Sequence, residues 1–217
     1  MTGHRGLVPG SRVSERLSRK EVWVSPSVLF ALAQVDRTVV RTIVSFLGPR
    51  LALLPDIDDR IVSLQRSGDA AKRKAADDVN SAIATVPRRD EIVPTSNAEM
   101  ALRAHRILME DWTDLPIEVR TECADLWIAA KWRPSSVVLA QPGLLGAVLP
   151  EMLGVHHLLS EIARIAPTLS SAQVWKIQDD LLSRKLLRFF CDGWSYSTQV
   201  KLAATAFVDD GAMRIEF

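Results

Sequence analysis

The sequence predicts an all-α fold: an irregular multi-helix bundle of about six to eight helices with a small C-terminal β-hairpin or strand. Three observations predict it. Apolar residues recur at helical spacing along most of the chain. Capping residues and prolines punctuate those runs at helix-like intervals. A strand-and-turn pattern is confined to the C-terminus, where "TAFVDDGAMRIEF" places a DG turn signal between two short β-prone runs.

The first helix starts at Ser25-Pro26, a cap followed by a proline suited to the first helical position. Val28, Leu32, Val35, Val39, Ile43 and Phe46 form its apolar stripe, and Gly48-Pro49 ends it. Asp56, Asp58 and Asp59 open the next helix at its positive end, with Ile57, Ile61 and Leu64 on its buried side. Asp69 caps a further helix reaching about Val86. Ser96 caps a helix to about Trp112, and Pro116 starts one that reaches Trp132. Pro150 and Glu151 suit the start of a helix that sets Val155, Leu158, Leu159, Ile162 and Ile165 on its buried face. Ser170 or Ser171 caps the last long helix, with Trp175, Leu182, Leu186 and Phe189 along one side. Residues 1–20 read as a flexible basic arm. Residues 21–217 read as a single helical domain whose natural point of subdivision is the linker-like stretch 87–96.

Composition excludes more than it assigns. The chain has 217 residues, 47% hydrophobic and 24% charged, with a formal net charge of +1. That is ordinary for a globular domain, and it supplies no global field for a polyanion. The two cysteines, Cys123 and Cys191, are far apart and fit neither a disulfide framework nor a zinc spacing. With no secretory leader visible, the expected compartment is the cytoplasm. The charge-free run from Pro134 to Pro150 holds three prolines and two glycines, so it reads as buried core rather than a membrane span.

No phosphate loop, dinucleotide fingerprint or nucleophile elbow is present. No catalytic residue, metal ligand set or cofactor is therefore assigned. His157 and Glu161 share a helical face, with His156 at its boundary, but two ligands fall short of the three a catalytic zinc needs. Basic clusters are more prominent. Arg103 with Arg106, Lys131-Trp132-Arg133, and Arg184-Lys185 with Arg188 combine guanidinium groups with an aromatic plane that could stack a base. Of the six tryptophans, Trp112, Trp127, Trp132 and Trp175 lie in helical segments, where packing is the default, whereas Trp23 and Trp194 flank helices and are the candidates for partner contact.

The leading expectation is a non-catalytic helical interaction or adaptor subunit of a larger cytoplasmic assembly, bound to a protein partner or to copies of itself. The first alternative is a nucleic-acid-contacting subunit that uses the arginine clusters. The second is a metal-dependent enzyme built around His156, His157 and Glu161.

Overall fold

The computed structural model describes residues 21–89, 92, 95–111, 117–132, 136–140, 152–154, 158–159, 162–164 and 169–183. These residues are mostly helical, as the periodicity predicts. They also contain a parallel β-sheet, which it does not predict.

The chain enters on β1 (Glu21–Val24) and turns into α1 (Pro26–Val35) and α2 (Arg37–Leu47). A short 3-10 turn leads to β2 (Leu51–Leu53), then α3 (Ile57–Gln65) and α4 (Ala70–Ile83). After them come α5 (Ala98–Asp111), α6 (Ile117–Trp132), β3 (Ser136–Ala140), β4 (Met152–Gly154) and α7 (Ser171–Ser183). The strands lie in the order β2-β1-β3-β4 and every pairing is parallel. Trp23 stands opposite Ala52 on one side and Val138 on the other, so β1 is a central strand.

This sheet corrects the all-α expectation, and the cause is physical. Strands of a parallel sheet are covered on both faces and read as continuous apolar runs without alternation. "EVWV", "LAL" and "MLG" are only three or four residues long. Runs that short cannot be told from buried helix by periodicity. The same ambiguity misplaces a helix start and hides a strand. Part of the charge-free run, Ser136–Ala140, forms β3, and Met152–Gly154 is β4 rather than the first turn of a helix from Pro150. Further on, Leu158, Leu159 and Ile162 are fully buried, as their spacing predicts.

One expected helix is two. Asp36 breaks the stripe between Val35 and Val39: its carboxylate accepts from the Thr38 N–H at 2.8 Å and caps α2. The predicted caps Ser25 and Asp69 accept from Val28 N–H and Ala71 N–H. Ser170 and Gln173 make a reciprocal capping box at the start of α7. Gly48, at φ 53 and ψ −129, adopts a backbone open only to glycine and turns the chain from α2 toward β2.

Val22 and Val24 join one core with α1, α2, α4 and α7. Trp23, one residue out of phase, points to the other face of the sheet and is also fully buried. Helix α6 packs on β3 and against α5. From Glu122 to Ala129 it is buried at every position except the half-buried Asp125. Arg88 chelates Asp58 with bonds of 2.9–3.1 Å, and Arg89 pairs with Glu21, so the start of the linker-like stretch is fastened to α3 and β1. No helix among the described residues is long and apolar enough to cross a membrane. The basic arm at 1–20 and the C-terminal β element lie outside the described residues.

Candidate functional site

The chain leaves β1 toward one edge of the sheet, forms β2, and returns to place β3 on the other side of β1. In sheets wound this way, ligand crevices open outside the carboxyl ends of the strands, where the winding reverses. Ser25 and Ser27 follow the carboxyl end of β1, and Asp56 and Arg60 follow that of β2. Glu122, from α6, reaches the same place.

These groups form a closed cluster. Glu122 is fully buried and pairs with Arg60, whose side chain keeps 19% exposure. Its Oε2 accepts from the Arg60 guanidinium and from Ser27 Oγ at 2.6 Å. Its Oε1 accepts from Ser25 Oγ and from the Ser27 N–H at 3.3 Å. A carboxylate offers about four acceptor directions, and all are used here. The hydroxyls are matched too. Ser25 Oγ also accepts the Val28 N–H, and Ser27 Oγ also accepts from Arg60 at 3.2 Å. The serine that caps α1 therefore also anchors the buried acid.

Asp56 lies beside this cluster without joining it. Its Oδ1 is buried with no hydrogen-bond partner among the described residues. Burial pushes its pKa up to about 6; Arg60 opposes that rise, while Asp125 and Glu122 add to it. The neighbouring Cys123 thiol is fully buried and is held well above its ordinary pKa by desolvation, which leaves it unreactive. His105 Nε2, from α5, lies 3.4 Å from Asp125 Oδ1.

The raised Asp56 pKa has a definite sign. Below about pH 4 the side chain is neutral in both folded and unfolded chains. As pH rises through 6, the folded protein must carry a charge in a desolvated position that the unfolded chain carries freely, and stability falls. Asp56→Asn is therefore expected to stabilise the fold at pH 8 by about 1 kcal/mol after allowance for its partial exposure. The gap should close by pH 4. Chemical denaturation at both pH values checks this, and a pH-independent gap would contradict it.

The residues singled out in the sequence do not gather here. Trp23 is fully buried in the central strand, with its indole N–H donating to Glu21 at 3.1 Å, so it has no surface to offer a partner. Arg103 and Arg106 are exposed on α5. Lys131 sits 5.9 Å from the Trp127 ring centroid, and Trp132 meets Trp127 edge to face at 5.6 Å. Both belong to the end of α6, away from the carboxylate cluster. Arg133, Arg184, Lys185, Arg188 and Trp194 lie outside the described residues, as do His156, His157 and Glu161. Trp175, expected in the core, is instead 73% exposed. Val174, Ile177 and Leu181 take the buried face of α7 and turn Trp175 outward.

Ser25, Arg60 and Glu122 were not picked out in the sequence. Ser25 was legible only as a cap, and Glu122 stands 97 residues from Ser25 in the chain. The one local signal is a glutamate at the head of the largely apolar stretch "ECADLWIAA". An acid in that setting must be paired or solvated. Among the described residues no group of three or more His, Cys, Asp or Glu side chains is placed to hold a metal ion. No family model, curated protein or solved structure matches the chain.

Proposed function

We propose that the protein is a non-catalytic interaction subunit of a larger cytoplasmic assembly. One observation carries the reading: Glu122, the fully buried acid beside the carboxyl ends of β1 and β2, is saturated from within the chain. Glu122 has its acceptor directions filled by Arg60, Ser25 and Ser27, and this leaves no lone pair for a substrate proton or a cation. The arrangement suits a structural lock between α6 and the ends of β1 and β2.

The outer helices offer contact surface. Trp175 on α7 and Leu102 on α5 are 73% and 66% exposed. Tryptophan is the residue type most enriched among binding hot spots. Arg103 and Arg106, exposed on α5 beside Leu102, leave the nucleic-acid reading one observation of its own. They share their helix face with Glu99 and Glu110, so the surface is mixed rather than basic.

The test is size-exclusion chromatography of the full chain from extracts of its own cells, with and without nuclease. The expected result is elution well ahead of a 217-residue monomer. Trp175→Ser should return it to the monomer volume, and nuclease should have no effect. Monomeric elution of the unaltered chain would overturn the reading. Collapse of the assembly on nuclease treatment would favour the nucleic-acid alternative.

A further inference from the structure

A second concavity lies at the opposite ends of the strands and has no part in the Glu122 cluster. It encloses about 700 Å³ between α2 and α4, beside the first residue of β2. That volume falls within the range of small-molecule sites, roughly 300–1,000 Å³. Val44, Leu51 and Ala82 supply an apolar floor, with Ser81 on α4 and Thr85 in the turn that follows it also lining the space. Arg41 and Arg89 line it as well, and no acidic side chain does so among the described residues.

The two guanidinium groups differ. Arg89 is paired with Glu21 at the start of β1, so its charge is already met. Arg41 is exposed on α2 and makes no ion pair among the described residues. One uncompensated positive charge beside an apolar floor matches a single negative charge on an apolar body. A guanidinium fork suits a carboxylate in shape and charge. A dianionic phosphate would leave half its charge unmet and would gain nothing from the floor.

We infer that this cavity binds a small monocarboxylate with an apolar body, its carboxylate on Arg41 and its tail along Val44 and Ala82. Such binding does not depend on the non-catalytic reading of the Glu122 cluster, since the two sites share no residue.

Isothermal titration of the full chain tests it with octanoate, octanol and inorganic phosphate as probes. The expected result is that octanoate binds more tightly than octanol, while phosphate does not bind. Arg41→Ala should weaken octanoate about tenfold, the worth of one charge-assisted contact, and leave octanol unchanged. Ala82→Phe fills the floor and should abolish both, with thermal unfolding confirming that each variant folds. The inference is overturned if octanoate binds no better than octanol, if neither variant changes octanoate affinity, or if phosphate is the probe that binds.

Discussion

Replacing Glu122 with alanine is expected to cost the fold about 3 kcal/mol, the lower end of the penalty for breaking a buried ion pair. The lower end applies because the cation left behind is Arg60, which keeps 19% of its side-chain surface in contact with solvent. Arg60→Met should cost more, toward about 5 kcal/mol, because it strands Glu122 at 0% exposure with only two serines to hold its charge. The asymmetry is the informative part. A pair valued only for its attraction would lose the same amount from either side. A fully desolvated acid held by a partly solvated base should not. Urea unfolding of the two variants reads both numbers.

The second large effect belongs to Trp23. Trp23→Ala is expected to remove about 3–5 kcal/mol, as truncation of a fully buried aromatic does when its surroundings cannot collapse. Collapse is restricted here, because β1 is hydrogen-bonded on both edges to β2 and β3. The variant should unfold at lower urea with an unchanged slope. A chain of normal stability that had lost only partner binding would restore Trp23 to the surface role its sequence position suggests.

Trp23 also shows where the sequence stopped being legible. It stands two residues before a serine-proline cap, and a tryptophan just outside a helix reads as an exposed flank. What buries it is pairing with residues 51–53 and 136–139, and that information is non-local. Helices were legible where local chemistry decides them. Ser25, Asp69 and Ser170 cap as their residue types demand, and Ile57 and Ile61 are buried as their spacing predicts. Trp175 and the break at Asp36 were missed because two local signals competed. In α7 a run of apolar residues left two helix faces available, and packing chose Val174, Ile177 and Leu181. At Asp36 a side-chain cap outweighed an unbroken apolar stripe. The candidate site was almost invisible, since Ser25 and Arg60 stand 97 and 62 residues from Glu122 in the chain and only the tertiary fold brings them together.

The most direct measurement on the Glu122 cluster is a double-mutant cycle in urea over the unaltered chain, Arg60→Met, Glu122→Leu and the double variant. If the cluster is a structural lock, each single change destabilises. The double change, which leaves an apolar contact and no stranded charge, should recover much of the loss, with a coupling of about 2–3 kcal/mol. The contrary result is that Glu122→Leu alone leaves the protein as stable as before, or more stable. Such an acid would be one kept for chemistry at the expense of the fold, and the non-catalytic reading would fall.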